Sequence, residues 1–230
     1  MNIVEPYAKI VRFTEHQGNY AEFTHENGIG LLRRIEWCGR ISHRSEDKQD
    51  THTWEPFIKA VVLGHGDWSI VEHASVTVDA VVDRGISHEW VRHRLFSYTQ
   101  SSTRFINHVK KMPPEFVNPF SADRANHPAQ LEWDAAIEAA ETAYRRLIEE
   151  GNAPQIARSV FPNALATRLV VSGNLRSWRH FLVMRTTKES HPQMRQVTIP
   201  LLAEFKAKIP ILFDDIQPEQ RQADNLRLPR

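Results

Sequence analysis

Residues Arg92 to Phe105, RHRLFSYTQSSTRF, concentrate polar chemistry in one short stretch. Arg92, Arg94 and Arg104 bring guanidinium forks, His93 an imidazole, and Ser97, Tyr98, Thr99, Ser101, Ser102 and Thr103 a run of hydroxyls. A guanidinium offers planar, bidentate donation to a phosphate or to a carbonyl edge, and hydroxyls complete such a grip. The stretch therefore suits a ligand that presents a phosphate or a planar carbonyl edge.

The charge around it is local. From Arg84 to Lys111 six basic residues accompany one acid, Glu89, and from Arg168 to Arg195 six more accompany Glu189, in a chain whose net charge is only +1. In the second island, Trp178, Phe181, Leu182 and Arg185 fall on one helical face, while Arg176, His180 and Val183 fall on the opposite one. Arg185 thus extends an apolar stripe, where a cation requires an acid or a polar ligand to meet it.

Other motifs fail on spacing. In HEWVRH, His88 and His93 lie five residues apart, about 140° around a helix, so they cannot share a zinc ion from one face. The histidines show no other metal-ligand spacing, and no metal is expected. GIG and GHG lack the strand-turn-helix frame and the lysine of a phosphate loop. Ser101 or Ser102 with His93 as base would make a serine hydrolase, although no nucleophile elbow frames either serine. The interleaved arginines and aromatics also suit single-stranded nucleic acid, against which the near-zero net charge argues.

These residues need elements to position them. YAKIVRFTE predicts a strand, GIGLLRRIEWCGRIS a helix with Leu32, Ile35 and Cys38 or Gly39 on one face, and THTWEPFIKAVVLGHG a helix that Thr51 or Thr53 caps and Gly64 and Gly66 end. ASVTVDAVVD alternates as a half-buried strand with Val76, Val78, Ala80 and Val82 inward. After the Pro-rich loop MPPEFVNPFSADRANHP comes a long helix with Trp133, Ile137, Ala140, Tyr144 and Leu147 on one stripe, ended by Gly151. A short helix at PQIARSV, an extended ATRLVVSG, a helix NLRSWRHFLVMR and a last helix from about Pro192 to Lys208 follow. This irregular order predicts an α+β fold, a mainly antiparallel twisted sheet flanked by helices, as one domain over residues 1–230. A single cysteine, Cys38, no signal-peptide pattern and no apolar run near the ~18 residues of a membrane span predict a cytoplasmic protein without membrane or nucleic-acid partners.

Arg92-His93-Arg94, seven residues and then Ser102 match the RHR-x7-S signature of the flavin-dependent thymidylate synthases, and the chain resembles that family from about Gly30 to Phe205. GHGDWSIVEHASVTV, ARSVFPNALATR and NLRSWRHFLVMR resemble further family blocks in order and spacing. The resemblance implies methylation of dUMP to dTMP, with 5,10-methylenetetrahydrofolate as carbon donor and NADPH as reductant through FAD. It implies that Ser69, Arg92, His93, Arg94, Gln100, Asn174, Arg176 and His180 hold FAD. Glu89, Arg92, Gln100, Ser101, Ser102, Thr103, Arg104, Arg158 and Arg185 would line dUMP, with Arg185 against the uracil ring, favouring loss of its N3 proton. It also implies a homotetramer with sites shared between subunits. Asp67 and Gln100 depart from the family pattern, which has a histidine at the first position and commonly a glutamate at the second.

Overall fold

The structure is a computed structural model and describes residues 1–13, 20–22, 24–120 and 128–219. Its strands are β1 (Asn2–Ile3), β2 (Tyr7–Phe13), β3 (Tyr20–Glu22), β4 (Ser75–Asp83), β5 (Ser97–Gln100), β6 (Glu115–Phe116) and β7 (Ala166–Asn174). Its helices are α1 (His25–Ile41), α2 (Trp54–Phe57), α3 (Arg84–Trp90), α4 (Gln130–Glu149), α5 (Pro154–Ala157), α6 (Leu175–Arg185) and α7 (Pro192–Lys208). Five strands form one sheet in the order β3-β2-β4-β7-β5, and β1 pairs parallel with β6, Ile3 opposite Phe116. The fold is α+β with a mainly antiparallel sheet flanked by helices.

The residues explain most boundaries. α1 starts three residues ahead of the expected Gly28, because Thr24 and Asn27 form a reciprocal capping box ahead of the apolar stripe. Leu32, Ile35 and Gly39 are buried on that stripe. The predicted helix at 51–66 divides: α2 runs four residues and passes into a π-helical segment, Ile58–Gly64, with the His65 N–H reaching the Ala60 carbonyl at 2.9 Å. Gly66, at φ +83°, supplies the left-handed residue that turns the chain after it.

In β4, Val76, Val78, Ala80 and Val82 are buried as the alternation requires, but Asp79 and Asp83 on the other face are buried as well. Asp83 caps α3 by accepting the Ile86 N–H at 2.7 Å. Neither α3 nor β5 stood out in the sequence, since both are short and mostly polar. Thr14 and Glu15 of the predicted first strand, and residues 121–127 of the Pro-rich loop, lie outside the described residues.

The chain divides into two compact units. One comprises Met1–Tyr7, Ala80–Arg92 and Thr99–Leu169; the other comprises Ala8–Asp79, His93–Tyr98 and Val170–Arg230. In the first, Phe116, Ile137 and Leu165 form a core against Ile3, Trp133, Phe161 and Ala164, and Tyr144 stacks on Phe161 with ring centres 4.4 Å apart. In the second, Trp178, Phe181, Phe205 and Phe213 are fully buried, and the Trp178 indole N–H is satisfied by the Val76 carbonyl at 3.0 Å. Gly173 lies flat against the Phe96 ring, where any Cβ would fall 2.3 Å from a ring carbon.

Candidate active site

In the unit that holds α6, that helix organises the first group of donors. Asn174 caps it, its side-chain oxygen accepting the Ser177 N–H at 2.8 Å and its NH2 group left for another partner. Trp178, Phe181 and Leu182 anchor the buried face, so Arg185, one turn further on, emerges half-buried at the helix end. Its Nε donates to His93 Nε2 at 2.9 Å. The acceptor in that bond is an imidazole. Burial first, then the charges of Arg185 and His180, bring the His93 pKa down to about 4, so the ring is neutral at neutral pH, and the Arg185 bond requires Nε2 to be its acceptor nitrogen. Phe181 meets the His93 ring edge-on at 4.9 Å, and the Tyr98 hydroxyl donates to the His93 carbonyl at 2.8 Å.

Helix α7 fixes the backbone beneath Arg185. The Thr198 hydroxyl donates to the Arg185 carbonyl at 2.8 Å, and the buried Arg195 guanidinium donates to the carbonyls of Thr186 and Thr187. Arg176, one face away, pairs with Glu72 at 2.6 Å, with both side chains about half exposed. Such an exposed pair is worth little in water. Ser69 stands exposed on the same 3-10 turn as Glu72, Trp68–His73, which packs on α6. Arg94 and His180 are exposed.

The other unit gathers the hydroxyls. The Gln100 amide bonds the hydroxyls of Ser87 and Thr167 at 3.0 and 3.1 Å, both in buried residues. The Ser101 N–H donates to the Arg168 carbonyl at 2.9 Å, while Ser102 Oγ accepts the Arg104 N–H at 3.2 Å. The Ser102 hydroxyl is thus engaged by its own turn. Thr103 is buried and its hydroxyl accepts from Arg158 at 3.1 Å; Arg104 reaches Gln155 at 3.1 Å. A cavity of about 370 Å³ opens beside Ser101, Ser102 and Thr103, with Thr167 and Arg168 on its polar wall and Val81 on its apolar one. Glu89 sits half-buried on α3, and Arg92 is exposed two residues beyond that helix.

The structure therefore joins His93, Asn174, Arg176, His180 and Arg185 through α6, and Gln100 to Arg104 with Arg158 through one loop. The pairings of Glu72 with Arg176, Ser87 and Thr167 with Gln100, and Thr198 with Arg185 escaped the sequence reading, because each joins positions thirteen or more residues apart that only the fold brings together. The donors suit a flavin chemically: exposed cations at Arg94 and Arg176 for a pyrophosphate, and an Asn174 NH2 free to meet a polar ring edge. Among the described residues, no group of three or more His, Cys, Asp or Glu side chains could hold a metal ion, and no helix is long and apolar enough to cross a membrane.

Fold and donors together define an α+β protein equipped for planar, phosphorylated ligands. A family model described as thymidylate synthase complementing protein matches residues 30–211. The chain is 33% identical over 206 residues to the flavin-dependent thymidylate synthase of Corynebacterium efficiens, covering 83% of this chain and 81% of that one. It is 34% identical over 217 residues to that of Mycobacterium sp. (strain KMS), covering 84% and 81%, and 35% identical over 196 residues to that of Mycobacteroides abscessus, covering 79% and 78%. The chain belongs to the family of flavin-dependent thymidylate synthases.

Proposed function

We propose that the chain methylates dUMP to dTMP, with 5,10-methylenetetrahydrofolate as carbon donor and NADPH as reductant through FAD. The observation that carries the reading is Arg185, a half-buried cation at the end of an apolar stripe whose Nε donates to His93 Nε2 at 2.9 Å. A guanidinium in a partly dry site stabilises a developing anion most strongly. Against a uracil ring it would favour loss of the N3 proton and hold the resulting anion.

Bound flavin would supply hydride transfer, which removes the need for a thiolate nucleophile. Cys38 would accordingly not be needed as a nucleophile. Arg92, His93, Arg94, Asn174, Arg176, His180 and Ser69 would hold FAD by donation to its pyrophosphate and ring edge. The main-chain N–H groups and hydroxyls of Ser101 to Arg104, with Glu89, Gln100, Arg92 and Arg158, would fix dUMP. The active unit would be one catalytic domain per chain in a cytoplasmic homotetramer that shares its sites between subunits.

The test is a visible spectrum of the purified chain after FAD addition and gel filtration, followed by a dUMP-dependent NADPH oxidation assay. Retained flavin and turnover are expected, and Arg185→Ala should lose turnover while keeping flavin. A chain that retains no flavin even with dUMP present would overturn the reading.

A further inference from the structure

Helix α6 ends without a glycine, since Thr186 to Ser190 read TTKES, and its last carbonyls fall to side chains. The Thr186 hydroxyl donates to the Leu182 carbonyl at 2.8 Å, and the Ser190 hydroxyl to the Met184 carbonyl at 3.0 Å. The donor to the Arg185 carbonyl comes from α7. There the fully buried Thr198 hydroxyl shares its proton between that oxygen at 2.8 Å and the Met194 carbonyl of its own helix at 3.0 Å. Arg195, three residues earlier on α7, is buried, and its guanidinium donates to the carbonyls of Thr186, Thr187 and Glu219 at 2.6, 2.5 and 2.6 Å. A buried cation is a costly way to end a helix, where a glycine would desolvate no charge. The negative end of the α6 dipole offsets part of that cost. What the arrangement secures is a last turn that does not fray, as helix ends otherwise do.

Arg185 stands in that turn, and its Nε donates to His93 Nε2 at 2.9 Å. A misplacement of about 1 Å at a reacting group can lower a rate by about a hundredfold. We propose that Thr198 and Arg195 are positioning residues for Arg185: by holding the last turn of α6 they give its guanidinium one fixed origin, and their loss lowers turnover without weakening ligand binding. The effect on turnover rests on the reading under Proposed function; the hold on Arg185 against His93 does not.

The experiment compares the full chain with Thr198→Val, which keeps the shape and removes the hydroxyl, and with Thr198→Ser, which restores it. Arg195→Lys, which keeps a charge but loses the fork, is a further variant should Thr198→Val not fold. Turnover, KM for dUMP and flavin retention are measured on flavin-loaded protein. The His93 imidazole is titrated by NMR on histidine-labelled chain without added flavin, with His93→Gln assigning its resonance. Expected for Thr198→Val and Arg195→Lys are a kcat about tenfold or more below wild type and a KM and flavin retention near wild type, with recovery in Thr198→Ser. Burial, and then the charges of Arg185 and His180, hold the His93 pKa at about 4, so a loosened Arg185 should let it titrate nearer 6.5 in the same variants. A kcat and a His93 titration unchanged in every variant that folds would overturn the positioning role, as would a loss of flavin and dUMP binding as large as the loss of turnover. A wild type without turnover would overturn the reading under Proposed function instead, and the His93 titration alone would then decide the hold on Arg185.

Discussion

His93 shows how one side chain couples stability to the state of the site. It accepts from Arg185, and its pKa is about 4 in the folded protein against an ordinary 6.5. Below pH 6.5 the unfolded chain gains a proton that the fold refuses, so the contribution of His93 is fully present above 6.5 and is lost as pH falls toward 4. Protonation would also set one cation against Arg185. Urea titrations at pH 7 and pH 4.5 should therefore show that His93→Gln, which keeps an acceptor, loses less stability on acidification than wild type does. Equal losses would show that another group carries the acid sensitivity. The residue scale is also where the sequence was most informative: the RHR run, the hydroxyls after it and the anomalous Arg185 were all legible from type and spacing. What it hid was the bond between His93 and Arg185, which spans ninety-two positions and needs the fold to exist. Gln100 teaches the same lesson, since its amide is committed to two hydroxyls, one of them sixty-seven residues away.

At the scale of elements, the start of α6 places a capping residue in the proposed flavin site. Asn174 ends β7 and caps α6 through its oxygen, and in the proposed site its NH2 would meet the flavin. Two substitutions separate those duties. Asn174→Ala removes the cap and should cost about 1 kcal/mol of stability. Asn174→Asp retains the capping oxygen and suits the helix dipole, so stability should hold while flavin affinity falls, because a donor has become an acceptor. Denaturant midpoints and flavin titration measure the two effects, and unchanged flavin affinity in the Asp variant would confine Asn174 to capping. Elements with strong periodicity were legible: α1, α4, α6, α7 and β4 all formed where the pattern put them. α3 and β5 were not, because a seven-residue helix and a four-residue strand carry too few apolar positions to set a period. The passage of α2 into a π-helical turn was equally silent, since its hydrogen bonding leaves the apolar content unchanged.

At the scale of the whole molecule, the proposed tetramer makes a demand on the surface. Leu95 is 75% exposed beside Arg94, and Phe105 is 72% exposed beside Arg104. Each large apolar side chain thus adjoins a cation assigned to ligand binding, and neither is covered by its own chain. Scattered exposed apolar residues are ordinary on any protein, but interfaces enrich aromatic and apolar groups at their centres. If subunits share sites, these two residues are where an approaching subunit would bury surface next to a ligand. Sedimentation should then give a particle of four times the 26.6 kDa chain for wild type, and smaller species for Leu95→Asp or Phe105→Asp. Flavin and dUMP retention should fall together with assembly, since a site built from two protomers cannot survive the loss of one. A variant that stays fully assembled yet loses ligand would place its residue in the site alone, whereas a dissociated variant that still holds flavin and dUMP would show that each chain carries a complete site.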